Sequence, residues 1–400
     1  MKKILELDVK YTGVNVFYFA ALCSMTGYAS VYLLDKGFNN SMIGIVLAVA
    51  NIIGMIVQPT LASYLDNHAK VDVRKVVGGF ALVVTVLSLI MWLLPLNVPV
   101  IFIIITCIFA MMLSLMPLLN TLAFIFEKFG IEINYGVARG IGSVAYAVTS
   151  LGLGHIVEIY SPNLLPMFYV IFTVGLMVLL RFYVLPKTGN YSVLEKEDEA
   201  KEVDTPQLSL AEFCVKYKRF ILFLLGFVGV YFAHTIINNF FIQIIDNVHG
   251  TSGDMGNAIF IAAMLELPTM AAFTKIAKKI DCALLIKISL VMFCVKHIIT
   301  FFATSVALIY VAQVFQMFAY ALFIPASVYY VNEKININDR IKGQSMVTLA
   351  MTLAGVIASF VGGVMLDALG VHEVLLISVV VSIVGTILGA LSIEPVKTQD

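Results

Sequence analysis

The sequence predicts an all-α membrane protein: twelve transmembrane helices in two pseudo-symmetric six-helix bundles. Three observations lead there. Of the 400 residues, 60% are hydrophobic and only 12% are charged, about half the charged share of an ordinary soluble domain. The apolar residues gather in long runs, each near the ~20 residues that a helix needs to cross a bilayer. The basic residues fall almost wholly on one side of those runs. Helices are the expected conformation, because lipid offers no partner to an unpaired backbone group.

The runs are 12–34, 41–63, 76–95, 99–126, 137–158, 164–185, 217–245, 255–275, 283–302, 305–331, 344–366 and 372–393. Pro95 and Pro99 bracket the third break, and Ser161-Pro162-Asn163 makes the fifth. A break near Thr304-Ser305 is inferred from total length. The opening MKKILELDVK reads as a cytoplasmic tail before the first span, not as a removed signal peptide. One long polar stretch, residues 186–216, contains EKEDEAKEVD and divides the spans six and six. The expected organisation is a bundle over 1–185, a cytoplasmic loop over 186–216 and a second bundle over 217–400. A mixed-charge run of this kind is solvated linker or surface helix, and no chemistry is assigned to it.

Basic residues set the orientation. With twelve spans, one face carries Lys2, Lys3, Lys10, Lys70, Arg74, Lys75, Lys128, the cluster from Lys187 to Arg219, Lys275, Lys278, Lys279, Lys334, Arg340, Lys342 and Lys397. The other face carries essentially Lys36 alone. A misplaced span would scramble this bias, so it supports twelve spans with both termini in the cytoplasm. A faint repeat links the halves. Span four ends in Pro117 and Phe126-Glu127-Lys128, followed by Arg139-Gly140; span ten ends in Pro325 and Asn332-Glu333-Lys334, followed by Lys342-Gly343. Equivalent halves in one orientation are expected of parallel repeats.

Composition also excludes functions. Lys plus Arg (25) equals Asp plus Glu (25), which suggests no nucleic-acid partner. The cysteines Cys23, Cys107, Cys214, Cys282 and Cys294 contain no CxxC and form neither a metal set nor a disulfide framework. No HExxH or GxxxxGKS/T signature is present. The expectation is a chain that is not an enzyme, holds no cofactor or metal, and draws on an ion gradient instead of ATP.

Residues that carry chemistry inside spans are few. The stretch Asn134–Ala147, NYGVARGIGSVAYA, places Arg139 and Tyr146 seven residues apart, on one helical face. Gly136 and Gly140 form a small-xxx-small pair that permits close helix approach. A guanidinium inside a membrane protein is costly unless it meets a wet cavity or a partner; with an aromatic plate it can hold a polar, ring-shaped ligand. The alternative is that Arg139 snorkels to the headgroups, and spacing alone slightly favours it. Glu266 is the one deep carboxylate, in span eight. Lys296 and His297 lie in span nine, His234 in span seven before Asn238 and Asn239, Gln316 in span ten and Asn120 in span four. For His, Asn and Gln a structural interhelical hydrogen bond is the better reading. Glu266 either pairs, for example with Lys296, or takes up a proton; both are functional outcomes in a carrier.

The chain resembles the major facilitator superfamily, and within it the oligosaccharide:proton symporters of the lactose permease family. The likeness is carried by Ala123–Lys128 through Gly136–Arg139 to Tyr146, by Leu265-Glu266-Leu267-Pro268, by Lys296 with Phe302–Ser305, and by Gln316-Met317-Phe318. It implies that Arg139 binds sugar and that Tyr146 stacks on the sugar ring, which reverses the reading from spacing. It implies that Glu266 helps bind sugar and couple protons. Lys296 falls on a family arginine near the proton site, and Gln316 on a family histidine. The chain departs from the family where Asn120 or Thr121 replaces a sugar-binding carboxylate and Ala319 replaces the proton-carrying glutamate. Met351 stands near the lysine of a lost Asp–Lys pair. In the cytoplasmic loop motif Ala62 replaces a glycine, while Asp66 is kept. The resulting substrate-side candidates are Arg139, Tyr146, Asn120, Glu266, Thr269, Gln316 and His234; the proton-side candidates are Glu266, Lys296 and His297. The expected function is proton-coupled secondary transport of a small polar solute, a sugar or glycoside, by a monomer in the plasma membrane. The alternative is proton-driven export of drug-like or amphipathic compounds, which an apolar cavity with few charges would suit.

Overall fold

The computed structural model describes residues 2–68, 71–126, 129, 131–184 and 208–395. Most of the charged central loop, together with Lys70, Glu127, Lys128 and Lys397, lies outside the described residues. The described chain is helical: α1 Lys2–Leu22, α2 Ala29–Asp35, α3 Asn40–Asn67, α4 Val73–Leu93, α5 Val98–Leu122, α6 Tyr135–Ile159, α7 Leu165–Phe182, α8 Leu210–Lys216, α9 Lys218–Asn239, α10 Phe241–Asn247, α11 Ser252–Ala277, α12 Cys282–Phe301, α13 Val306–Val314, α14 Tyr320–Lys334, α15 Arg340–Leu369 and α16 Val371–Ser392. Eleven helices are long and apolar enough to cross a membrane, or twelve if α1 and α2 form one bent span. This agrees with the all-α, multi-pass expectation.

Local chemistry starts the helices. Asp72, Asn97 and Asn134 cap α4, α5 and α6 by accepting from the backbone N–H of Arg74, Val100 and Val137, satisfying donors that a helix start leaves unpaired. Reciprocal capping boxes, Ser209 with Glu212 and Thr251 with Asp254, open α8 and α11. Pro99 sits at the start of α5, where its missing N–H costs nothing. The break inferred near Thr304-Ser305 is present: α12 ends at Phe301 and α13 begins at Val306.

Two spans are interrupted. A π-helical turn, Cys23–Gly27, separates α1 from α2, and the two arms bend by 46°. A 3₁₀ turn, Phe315–Met317, separates α13 from α14. Such irregular turns often mark functional hinges.

The contacts divide the chain into two units, one of Met1–Phe38 with Val49–Glu202, the other of Asn39–Ala48 with Val203–Asp400. In the first unit α1 packs on α6 and α7, and α4 packs on α5 and α7. Buried tyrosines stitch these helices. The hydroxyls of Tyr11 and Tyr18 donate to the carbonyls of Leu119 and Met112 on α5, Tyr28 to Ser150 on α6 at 2.6 Å, and Tyr183 to Leu122. A buried tyrosine thus contributes apolar area and satisfies its polar tip.

In the second unit α9 packs on α16 and α15, and α12 packs on α16 and α14. Its core is an aromatic series from Phe213 through Phe220, Phe223 and Phe227; Phe227 stacks on Phe323 with ring centroids 3.9 Å apart. Glycine lets α9 and α16 approach: a Cβ at Gly226 would sit 2.5 Å from the Gly389 nitrogen and 2.6 Å from the Gly385 oxygen. Asp367 of α15 accepts from the backbone N–H groups of Asn40 and Ser41 at the start of α3, at 3.1 and 2.7 Å. Among the described residues, the close approach that Gly136 and Gly140 permit is not made. A Cβ at Gly140 meets nothing within 4 Å among the described residues, and at Gly136 only the cap residue Asn134. The close contact of α6 is at Gly142, where a Cβ would meet the Phe19 ring at 2.5 Å.

Candidate functional site

In the first unit, α6 presents Arg139 and Tyr146. Its start is fixed twice: the Asn134 side chain caps it, and the Asn134 backbone N–H donates to Asp8 Oδ1 at 2.8 Å. Arg139 is half-buried one turn in. Its guanidinium carbon lies 4.1 Å from the Phe19 ring centroid, and Nη1 donates to Ser143 Oγ at 3.2 Å. The group therefore lies over a ring of α1 and is tied to its own helix, a stacked geometry that a planar guanidinium favours. Tyr146, also half-buried, sits at the interruption of the first span: its hydroxyl is 3.0 Å from where a Gly27 Cβ would stand. Asn120 lies in the last turn of α5, and its carbonyl accepts from the backbone N–H of Ala123. No hydrogen bond among the described residues joins the Asn120 side chain to Arg139.

In the second unit three polar side chains meet at the break between α13 and α14. Lys296 Nζ of α12 donates to Gln316 Oε1 at 2.6 Å, and Gln316 Nε2 donates to Glu266 Oε1 of α11 at 2.9 Å. The sequence left Glu266 either paired, for example with Lys296, or protonated; the structure places Gln316 between the two. The amide orientation follows from its partners, with oxygen toward the ammonium and NH₂ toward the carboxylate. Lys296 is fully buried, at 0% exposure, while Glu266 is half-buried. Burying an ammonium is costly without a partner of opposite charge or strong acceptors. The amide transmits that compensation from the carboxylate, and a proton arriving on Glu266 cancels it. The three groups thus form a charge-balanced unit with its carboxylate at the half-buried end.

The same unit holds His234 of α9 and His297 of α12. Asn238 Nδ2 donates to His234 Nε2 at 3.0 Å, and His297 Nδ1 shares a hydrogen bond with Ser382 Oγ of α16 at 2.8 Å. Lys296 and His297 are consecutive, so α12 turns the first toward the 3₁₀ turn between α13 and α14 and the second toward α16. Tyr231 and Tyr320 flank His234, with centroids 5.5 and 5.9 Å away. Thr269 is buried in α11, and no hydrogen bond among the described residues joins it to the chain.

Several contributors were absent from the sequence-derived set. Ser143 was readable in principle, four residues after Arg139 on the same face. Phe19, Tyr320 and Ser382 were not, because they reach the site from other helices.

A multi-pass helical chain with charged and polar side chains joined at a break inside its spans has the build of a membrane transporter. The chain belongs to the MFS_1 like family, whose model matches residues 9–377. It is 22% identical over 384 residues, 93% of this chain and 90% of the relative, to the "Uncharacterized transporter YwbF" of Bacillus subtilis (strain 168). Among solved structures it is similar to the nucleoside transporter NupG, with a TM-score of 0.75 at 15% identity over 96% of this chain and 98% of that one. It is also similar to a bacterial homologue of the human lysosomal transporter Spinster, with a TM-score of 0.70 at 12% identity over 98% and 97% of the two chains. The protein is a transporter of the major facilitator type and not an enzyme.

Proposed function

We propose that the protein is a proton-coupled secondary transporter of a small polar solute, a sugar or glycoside, working by alternating access. The observation that carries this reading is the Lys296–Gln316–Glu266 chain, a charge-balanced unit inside membrane spans that ends in a half-buried carboxylate. Arg139 over Phe19, with Tyr146 two turns along α6, supplies a guanidinium fork and an aromatic plate suited to hydroxyl groups and a ring. The resemblance to oligosaccharide:proton symporters supports the same assignment. The similarity to a nucleoside transporter is compatible with it, since a nucleoside is itself a glycoside. Glu266, Lys296 and His297 are assigned to coupling; Arg139, Tyr146, Asn120, Glu266, Thr269, Gln316 and His234 to the solute. The protein is placed in the plasma membrane as a monomer with both termini cytoplasmic.

The test is counterflow in proteoliposomes with a panel of sugars, glycosides, nucleosides and amphipathic cations, with and without an imposed pH gradient. A polar glycoside exchanged at zero gradient, and accumulated when the lumen is alkaline, supports the reading. Movement of amphipathic cations alone replaces it with the exporter.

A further inference from the structure

Among the described residues, four buried side-chain polar atoms have no protein partner, and two of the four belong to adjoining rings: His234 Nδ1 and His297 Nε2. The rings lie on α9 and α12 with centroids 6.3 Å apart and planes 29° apart. His234 is 2% exposed and His297 0%. A buried polar atom left unpaired carries a desolvation penalty, so two on neighbouring rings call for a common explanation.

Hydrogen-bond chemistry narrows it. His234 Nε2 accepts from the Asn238 amide, so in the neutral ring the proton is on Nδ1, which is a donor in search of an acceptor. His297 uses Nδ1 on the Ser382 hydroxyl. Its Nε2 is then an acceptor if Nδ1 donates to the hydroxyl, and a donor if the hydroxyl donates to Nδ1. At 6.3 Å between centroids the two rings are too far apart for a direct N–H···N bond. Two hydrogen bonds in series through one small molecule fit that gap. Water serves either tautomer of His297, because it can accept one N–H and donate to a ring nitrogen, or accept two N–H groups at once. Phe293 lies at 5.0 Å from His234 and 6.1 Å from His297, closing the site with apolar surface. The neighbouring Lys296 ammonium, turned toward Gln316, argues against a cation as occupant.

We propose that His234 and His297 hold one buried water between them, completing a relay from Asn238 through His234, water and His297 to Ser382 across the seam of α9, α12 and α16. The relay runs from an exposed amide to a fully buried hydroxyl. It gives α12 a hydrogen-bonded hold on α9 and α16, in addition to its hold on the 3₁₀ turn between α13 and α14 through Lys296. Nothing in it depends on which solute is carried.

The experiment is water-edited solid-state NMR of the full-length protein, labelled with ¹⁵N-histidine, in lipid bilayers. Magnetisation from bound water should reach His234 Nδ1 and the Nε2 side of His297. Contact at neither ring, or at one alone, overturns the bridge. In His297→Phe the water signal at His234 Nδ1 should be lost; its persistence in a folded variant also overturns the bridge. Should that variant fail to fold, the wild-type spectrum decides alone.

Discussion

At Arg139 the shape of the side chain counts for more than its charge. A planar guanidinium can lie on Phe19 and still direct two N–H groups at neighbouring hydroxyls, which an ammonium cannot reproduce. Arg139→Lys is therefore expected to weaken solute binding about tenfold or more, roughly 1.4 kcal/mol, in a titration of the purified protein. Tyr146→Phe should be milder than Tyr146→Ala, since stacking uses the ring face and not the hydroxyl. Unchanged affinity in Arg139→Lys would return Arg139 to a snorkelling role. The candidate side chains were legible because deep polar residues are rare in spans. Their partnerships were less so. Lys296 read as one of the outcomes open to Glu266, and the Gln316 bridge depends on the 3₁₀ turn that aims it, which no spacing rule reveals.

Helix by helix, several starts carry a local sequence signal and the interruptions do not. Asp72, Asn97 and Asn134 are recognisable caps with a known mechanism. The turns at Cys23–Gly27 and Phe315–Met317 are hidden because their few polar residues, Ser24, Thr26 and Gln316, are flanked on both sides by apolar residues, so each segment still reads as one continuous span. The glycine pair at Gly136 and Gly140 misled for a related reason: small-residue spacing permits close approach without supplying a partner helix. Gly226 does have that partner. Gly226→Ala forces its Cβ into the α16 backbone, an overpacking that costs about 1–3 kcal/mol. Gly355→Ala meets nothing within 4 Å among the described residues and should gain up to ~1 kcal/mol of helix propensity. Thermal unfolding of the two variants should move in opposite directions. At the start of α4, the Arg74 guanidinium hydrogen-bonded to Asp72 holds its carboxyl below the usual carboxylate range. Its folded pKa lies below the unfolded one, so this contribution is complete above the unfolded carboxylate's pKa and is lost as pH falls through the folded value. Asp72→Ala should cost about 1 kcal/mol at neutral pH and less in acid, as read from unfolding at several pH values.

For the whole molecule, span number was the most legible property, because bilayer thickness dictates the length of every apolar run. The division into units was harder to foresee. Asn39–Ala48, which includes the start of α3, groups with the second unit, although chain order assigns it to the first half. Sidedness rests on the basic residues and is open to a direct check. In a cysteine-free background, Val215→Cys on α8 should be protected from an impermeant thiol reagent outside intact cells, while Tyr160→Cys between α6 and α7 should react. The reverse pattern would invert the topology. Energy coupling is the central claim, and Glu266→Gln tests it most directly. The amide keeps the shape of the carboxyl and mimics its protonated form while it can no longer release a proton. In proteoliposomes the variant should keep solute exchange at zero gradient and lose accumulation driven by a pH gradient. Accumulation against a gradient by Glu266→Gln would contradict the account and place the proton elsewhere.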